Sequence, residues 1–313
     1  MRSLKIVFMG TPEFAVASLE KLHQSAHQVV AVVTAVDKPA GRGQLIHESE
    51  VKKCAVKHGI PVLQPPKLKD PEFIRQLDLL GADLFVVVAF RMLPKEVWSL
   101  PTMGTINLHG SLLPQYRGAA PIHHAVMNGE TTTGVTTFFI EEKIDTGNII
   151  DRRSIEIGPD ENTGSVYHRL MEVGASLLVH TVDQIASGSI HPQPQADLAA
   201  GIILKEAPKL SRESSQINWN RTAAEVHNFV RGLSPFPAAW CLFQDKSMKI
   251  FTGHATKQKA SGSPGSHHSD GKTFLRFSCA DYDFDVTELQ AEGKKRMRVD
   301  EWLRGQRINP QSH

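Results

Sequence analysis

The sequence predicts an α/β protein, in which a doubly wound, mostly parallel sheet is followed by a small all-β region. Continuous apolar runs, such as residues 4–10 and 83–90, are typical of buried parallel strands. Segments with helical spacing alternate with these runs, and an alternation of strands and helices favours strands that pair in parallel through right-handed crossovers. Beyond residue 207 the pattern changes to short strands separated by turns, which favours a small barrel or sandwich.

The predicted elements of the first part follow one another in a regular order. We expect strands at 4–10, 29–34, 61–64, 83–90 and 104–109, and helices after Pro12 and over 48–59, 70–80 and 120–129. Strands at 134–140 and 148–157 then flank a turn, and a long helix covers about 162–187. Residues 187–197, S-G-S-I-H-P-Q-P-Q-A-D, are interpreted as a linker, because their prolines disfavour both a helix and the hydrogen bonds of a paired strand.

The last part combines one helix with several short strands. The helix is expected at 222–233 and the strands at 240–244, 248–253, 273–279 and 283–289. The composition of residues 257–272 favours a mobile loop, with its paired histidines solvated rather than bound to metal. We therefore expect a first domain at 1–189, a linker at 190–207 and a second domain at 208–313.

Composition narrows the function classes. The net charge is +2, but residues 206–313 carry 16 Lys and Arg against 12 Asp and Glu, which suggests an anionic partner. No run of eighteen apolar residues occurs, so a membrane span is not expected. Three widely separated cysteines, Cys54, Cys241 and Cys279, fit unpaired thiols in a reducing cytoplasm better than a disulfide framework or a metal site. We expect a cytoplasmic monomer.

Familiar nucleotide and hydrolase motifs do not occur in this sequence. The turn after the first strand reads G-T-P-E-F rather than G-x-G-x-x-G, and no G-x-x-x-x-G-K-[ST] occurs. Dinucleotide binding and nucleotide hydrolysis are therefore disfavoured. Since H-E-x-x-H and G-x-S-x-G are also missing from the sequence, zinc peptidase and serine hydrolase interpretations lack support.

Three polar residues carry the candidate chemistry. Asn107 and His109 stand two positions apart at the carboxyl end of a predicted strand, so their side chains project from one face. An amide N–H and an imidazolium can both donate to an oxyanion, and a histidine can accept a proton from an attacking amine. Asp145, in a D-T-G turn, could hold that histidine charged. The alternatives are a turn-capping Asn107 and an Asp145 that only forms its turn.

Two motifs show a resemblance to a known family. Residues 106–118, I-N-L-H-G-S-L-L-P-Q-Y-R-G, resemble the signature N-x-H-x-S-L-L-P-x-x-x-G of formyltransferases that use 10-formyltetrahydrofolate, and 144–150 resemble the D-T-G element of the same superfamily. Residues 37–44, 217–240 and 292–305 are similar to segments of the methionyl-tRNA formyltransferases in particular. The resemblance extends from about residue 4 to residue 305. Residues 88–94, V-A-F-R-M-L-P, depart from the family pattern, being one residue shorter and without its glycine.

The resemblance implies a reaction and a set of residues. The reaction is transfer of a formyl group from 10-formyltetrahydrofolate to the α-amine of methionyl initiator tRNA, without a metal, and the second domain is then an oligonucleotide-binding-type barrel. The implied site residues are Asn107, His109 and Asp145 for catalysis, Phe90, Met92, Ser111, Leu112, Leu113 and Pro114 for folate, and Lys38, Arg42, Lys294, Lys295, Arg296 and Arg298 for tRNA. The alternatives are a sugar-amine formyltransferase and a formyltetrahydrofolate hydrolase.

Overall fold

The structure is a computed structural model that describes residues 2–40 and 45–305, with the backbone alone at positions 39, 40, 45 and 46. These residues form two compact units, each discontinuous in sequence. The first comprises residues up to 118, 133–155 and 167–206, and the second comprises 119–132, 156–166 and the chain from 207 onward. The expected domain boundaries, at 189 and 208, stay a prediction.

A mostly parallel sheet forms the centre of the first unit. The strands up to residue 156 are β1 (Lys5–Gly10), β2 (Gln28–Val33), β3 (Lys38–Ala40), β4 (Leu45–His47), β5 (Val62–Leu63), β6 (Leu84–Val88), β7 (Thr105–His109), β8 (Arg117–Gly118), β9 (Thr132–Phe139) and β10 (Ile149–Glu156). The sheet has the order β10-β9-β7-β6-β1-β2-β5. β1, β2, β5, β6 and β7 pair in parallel, whereas β9 runs antiparallel to β7. The doubly wound, mostly parallel sheet predicted from the sequence is confirmed.

Helices connect these strands. The helices are α1 (Phe14–His23), α2 (Glu50–Lys57), α3 (Pro71–Leu79), α4 (Lys95–Trp98), α5 (Pro121–Met127), α6 (Thr163–Ser187), α7 (Gln195–Ala199), α8 (Ala223–Leu233) and α9 (Val299–Arg304). Their starts follow local chemistry. The side chain of Ser49 accepts a hydrogen bond from Lys52 N ahead of α2, and Asp70 accepts one from Glu72 N ahead of α3. None of the described helices is both long enough and apolar enough to cross a lipid bilayer.

The second unit is built on an antiparallel sheet. The strands from residue 206 onward are β11 (Glu206–Ala207), β12 (Ala239–Phe243), β13 (Lys246–Lys259), β14 (His267–Ser269), β15 (Leu275–Ser278), β16 (Tyr282–Ala291) and β17 (Met297–Arg298). The strands after β11 form a sheet of order β12-β13-β16-β15-β14, with β17 beside β16. The pairings of β12–β13, β13–β16, β15–β16, β14–β15 and β16–β17 are all antiparallel. The expected all-β class of this part is confirmed, and its barrel form stays a prediction.

Helix α8 supplies one wall of the core of the second unit. Its residues Val226, Val230 and Leu233 are at most 1% exposed and pack into the same cluster as Ile250 and Phe284. The side chain of Thr222 accepts a hydrogen bond from Glu225 N, and the Glu225 carboxylate accepts one from Thr222 N. This reciprocal capping box satisfies two backbone N–H groups at the start of α8.

Two expectations about loops are wrong. The prolines of 187–197 do not exclude regular structure, since Gln193 forms an antiparallel bridge with Ile149 and Pro194 stands just before helix α7. Proline is compatible with this position because a helix start does not need its N–H. The segment 257–272, expected as a mobile loop, contains strand residues, and its mobility stays a prediction. β13 extends to Lys259 and β14 pairs with β15.

The three cysteines are unpaired, as the sequence predicts. Cys54, Cys241 and Cys279 are buried and unpaired. Burial raises the pKa of the Cys241 thiol to about 12, so this side chain is a protonated apolar group at neutral pH.

Replacing Thr222 with alanine tests the capping box. Thr222→Ala removes the acceptor that satisfies Glu225 N, and we expect the free energy of unfolding to fall by about 1 kcal/mol. Urea denaturation followed by circular dichroism measures this change. Thr222→Ser retains the hydroxyl and serves as the control. Equal stability of the Thr222→Ala variant and the wild type would show that the cap contributes nothing.

Candidate active site

Strand β7 holds the first two predicted catalytic residues. It lies between β6 and β9, and its Asn107 pairs in register with Val87 on one side and Phe138 on the other. Ile106 and Leu108 are 0% and 3% exposed, so the strand is anchored by burial as well as by its ladders. The side chains of Asn107 and His109 therefore project from one face of a rigid strand.

The hydrogen bond of His109 identifies its tautomer. The ring is 6% exposed, and Nε2 lies 2.9 Å from the carbonyl oxygen of Tyr116. A carbonyl oxygen can only accept, so Nε2 carries the hydrogen and donates it. The other ring nitrogen, Nδ1, lies 3.8 Å from Asp145 Oδ2, which is too long for a direct hydrogen bond. Nδ1 is therefore the nitrogen that can exchange a proton.

Asp145 approaches His109 from the turn between β9 and β10. Its backbone is left-handed, with φ of +54°, and its Oδ2 accepts a 2.9 Å hydrogen bond from Gly118 N. The turn requires glycine two residues later, because a Cβ on Gly147 would lie 1.8 Å from the carbonyl oxygen of Phe139. The carboxylate of Asp145 thus lies near the imidazole of His109, and the catalytic roles of the two residues stay a prediction.

Asn107 has an unsatisfied polar atom. Its Oδ1 is buried and has no hydrogen-bond partner among the described residues. An orphaned buried acceptor costs about 1–3 kcal/mol, so such a group in a native site calls for a partner that arrives with a ligand. A buried amide oxygen without a partner, on the same strand face as His109, is typical of a group that binds substrate.

The predicted folate segment, Ser111–Pro114, follows β7 and is mostly buried. Ser111 Oγ donates to the carbonyl oxygen of Gln115 at 2.6 Å, and Leu113 packs with Phe138 and Ile149. Thr136 Oγ1 donates to Ser111 O and accepts from Leu113 N. Leu112 is half-buried and Pro114 is buried. The side chains of Ser111 and Leu113 thus stabilise the conformation of this segment through contacts within the protein. The role of the segment in binding folate stays a prediction.

The other two predicted folate residues differ in exposure. Phe90 is half-buried and packs against the core on one side of the sheet, whereas Met92 is 74% exposed. Both follow Ala89, whose φ of +47° lies in the left-handed region that usually favours glycine. The segment that departs from the family pattern therefore begins with a bend at Ala89, directly after β6. Its role in binding folate stays a prediction.

The predicted basic cluster of the second unit divides into two kinds of residue. Arg296 Nε donates to Glu288 Oε1 at 2.7 Å, and its guanidinium lies 4.3 Å from the centre of the Phe251 ring. Arg298 pairs with Asp300 at 3.0 Å. Lys294 and Lys295 are exposed. Exposed ion pairs are weak and can exchange for phosphate, but the two lysines are the more accessible charges.

Of the predicted tRNA residues Lys38 and Arg42, the structure describes Lys38. Lys38 is exposed on β3. Arg42 lies outside the described residues. Their role stays a prediction.

One group of side chains has donor atoms suited to a metal ion. Glu20, Cys54 and His58, on and after helices α1 and α2, place one donor each within 4.8 Å of one another. Lys57 Nζ lies 3.4 Å from Glu20 Oε1, and burial raises the pKa of the Cys54 thiol to about 11. The carboxylate of Glu20 thus has an ion-pair partner in Lys57.

Sequence reasoning missed two residues of the site. Gln195 is 3% exposed, and its Oε1 accepts from Arg117 Nε at 3.0 Å and from Arg117 Nη2 at 2.7 Å. Its Nε2 donates to the carbonyl oxygens of Asp145 and Gly147, each at 2.9 Å. A single amide among prolines gives no sequence signal for such contacts, although Arg117 stands inside the signature itself.

Comparisons with known proteins agree with this geometry. The formyl transferase family matches residues 4–182, and its C-terminal domain matches residues 209–307. A methionyl-tRNA formyltransferase of Bacteroides fragilis is 48% identical over 307 residues, which cover 96% of this chain and 95% of that protein. The enzyme of the same name from Flavobacterium johnsoniae is 47% identical, with 97% of each chain covered.

Solved structures share the fold at low identity. HypX from Aquifex aeolicus, in complex with tetrahydrofolic acid, has a TM-score of 0.64 at 18% identity, and the match covers 96% of this chain but only 47% of that one. The chain thus spans about half the length of HypX. WlaRD, a sugar 3N-formyl transferase, has a TM-score of 0.67 at 20% identity, covering 94% and 100% of the two chains.

Both halves of the sequence match the family, and the relatives are nearly half identical along their whole length. On these matches, the chain belongs to the formyl transferase family and, within it, to the methionyl-tRNA formyltransferases.

Proposed function

We propose that this protein transfers the formyl group of 10-formyltetrahydrofolate to the α-amino group of methionyl initiator tRNA, which supplies N-formylmethionyl-tRNA for translation initiation. The observation that carries the proposal is the meeting of His109 Nδ1 and Asp145 Oδ2 at 3.8 Å beside the orphaned amide of Asn107. Family membership supports the same reaction. The relative from Bacteroides fragilis, of which the match covers 95%, is named a methionyl-tRNA formyltransferase.

The chemistry begins with the amine. An α-amino group has a pKa of roughly 7.7–8.0, so a useful neutral fraction exists at physiological pH without a strong base. Its nitrogen attacks the formyl carbon directly, because no serine or cysteine of the described site is paired with a base. A new C–N bond forms, and the bond between the formyl carbon and the folate nitrogen breaks.

Asn107 and His109 act on the charge that develops in this step. The amide of Asn107 donates a hydrogen bond to the oxygen of the tetrahedral adduct, and Nδ1 of His109 adds a second donor once it has taken up the proton of the attacking amine. The proton that leaves the attacking amine passes to Nδ1, since Nε2 is already committed to the Tyr116 carbonyl. The same proton then goes to the departing folate nitrogen.

Asp145 stabilises the charged histidine. Its Oδ2 faces Nδ1, and the hydrogen bond from Gly118 N holds the carboxylate in place. At 3.8 Å the carboxylate faces Nδ1 but makes no direct hydrogen bond to it. Nδ1 therefore remains available to the substrate.

The proposed partner is a polyanion. The excess of Lys and Arg in residues 206–313 supports contact with tRNA phosphates, and Lys38, Arg42, Lys294, Lys295, Arg296 and Arg298 are the proposed contributors. Phe90, Met92 and Ser111–Pro114 are the proposed folate contacts. Buried, unpaired thiols support a reducing cytoplasm as the compartment, and a monomer is the proposed state.

One assay separates this function from its alternatives. Transfer of labelled formyl from 10-formyltetrahydrofolate is measured to methionyl-tRNA, to free methionine, to an amino-sugar nucleotide and to water. We expect transfer to methionyl-tRNA alone. Preference for the amino sugar or for water would replace the proposal by a sugar-amine formyltransferase or a hydrolase.

Asn107→Ala tests the oxyanion role. Removal of one preorganised donor is expected to lower kcat by on the order of 10²-fold, which corresponds to about 3 kcal/mol. Because Oδ1 is orphaned in the described structure, the free energy of unfolding should not fall by the amount typical of a lost hydrogen bond. Steady-state kinetics and urea denaturation of the same preparation measure both quantities.

Asn107→Asp is the matched control, since it keeps the shape and replaces the donor with an acceptor. It is expected to lose at least as much activity as Asn107→Ala. Turnover within threefold of the wild type in either variant would show that Asn107 does not stabilise the transition state.

A lysine double variant tests the phosphate contacts. Lys294→Ala with Lys295→Ala removes two exposed charges, so the slope of log affinity against log salt should become shallower by about 1.8, taking the DNA value of about 0.9 per contact as an approximation. Filter binding of methionyl-tRNA over a salt series measures the slope. Lys294→Arg with Lys295→Arg keeps both charges and should keep the slope. A wild-type slope in the alanine variant would remove these lysines from the interface.

A further inference from the structure

The turn that carries Asp145 is held by a closed ring of hydrogen bonds. Starting at the Asp145 carbonyl oxygen, the ring passes through the side chain of Gln195 to the side chain of Arg117. It continues along the backbone from Arg117 to Gly118, whose N–H donates to the carboxylate of the same Asp145. The backbone and the side chain of one residue are thus tied to a single strand, β8.

The side chain of Gln195 uses all of its hydrogen-bonding capacity in bonds to the turn and to Arg117. Its Nε2 uses both hydrogens, on Asp145 O and Gly147 O, and its Oε1 accepts both bonds from Arg117. The side chain is 3% exposed and belongs to the first residue of α7, so its own position is set by the helix start after Pro194. A buried amide with all of its partners in place orients its neighbours rigidly.

The turn needs such support. Asp145 adopts φ of +54°, which costs free energy for a residue with a side chain, and Gly147 lies directly against Phe139. Thr146 Oγ1 bonds only to Lys143 within the same turn, so it does not connect the turn to the rest of the unit. The two bonds from Gln195 and the one from Gly118 connect residues 145 and 147 to the rest of the unit, and Phe139 N donates to the carbonyl oxygen of Asn148 at the end of the turn.

We propose that Gln195 and Arg117 are positioning residues of the formyl transfer site, which act by holding the Asp145 carboxylate opposite His109 Nδ1. The inference rests on the proposed function and adds to it a role for a segment that the sequence presents as a linker. Neither side chain needs to touch a substrate for this role. The substrate-facing group remains Asp145.

Gln195→Met tests the proposal because it keeps the length of the side chain and removes all four hydrogen bonds. We expect kcat to fall by on the order of 10²-fold, the cost of an ångström-scale displacement of a catalytic group, with KM for methionyl-tRNA unchanged. Gln195→Glu is the second variant. It keeps an acceptor for Arg117 but loses both donors to the turn, and it should also lose kcat.

Gln193→Met is the matched control. Gln193 lies two residues earlier and has an exposed side chain. Its bridge to Ile149 is formed by the backbone. Its activity should equal that of the wild type. Faster hydrogen exchange of residues 143–148 in Gln195→Met than in Gln193→Met would show loosening of the turn without reference to activity.

A double-mutant cycle distinguishes positioning from a general loss of structure. If Gln195 acts through the carboxylate, Gln195→Met should have no further effect on kcat in an Asp145→Ala background. Equal losses in both backgrounds, or unchanged turnover in the Gln195→Met and Gln195→Glu single variants, would overturn the inference. Failure of the wild type to formylate methionyl-tRNA would instead reject the proposed function.

Discussion

The hydrogen bond from His109 Nε2 to the Tyr116 carbonyl oxygen decides how the whole site can work. The bond joins two residues only seven positions apart, and it is possible because the chain turns back after β7, with Tyr116 at φ of +60°. Once Nε2 is committed as a donor, Nδ1 is the ring nitrogen left for chemistry. The approach of Asp145 matters because it is directed at this second nitrogen.

The same short segment organises the rest of the site. Residues 107–118 supply the orphaned amide, the imidazole, the carbonyl that orients it, and the N–H that holds Asp145. Thr136 on the neighbouring strand β9 fixes the middle of the segment by bonding to Ser111 O and Leu113 N. Many residues of the signature therefore make hydrogen bonds within the protein that hold the site together, and the others are left to contact a substrate. This explains why Ser111 and Leu113 are buried although they belong to the most recognisable motif.

Much of the fold could be predicted from local patterns. Apolar runs and helical spacing identified the strands and helices of the sheet, because burial on both faces leaves a distinct signal in each parallel strand. The short strands of the last part were also predicted. Local composition failed where tertiary pairing decides the outcome, as in 187–197 and 257–272. In the first segment a bridge and a short helix form in spite of the prolines, and in the second β14 pairs with β15.

By itself, the sequence determined the fold class, the family and the three residues expected to meet. Strand periodicity places Asn107 and His109 on one face, whereas the family and the inclusion of Asp145 follow from the resemblance of residues 106–118 and 144–150 to formyltransferase motifs. Only the tertiary structure decided which nitrogen of His109 faces Asp145, which atom of Asn107 lacks a partner, and that Gln195 and Arg117 hold the turn. These facts depend on distances between residues as far apart as 117 and 195, and no local pattern encodes such distances.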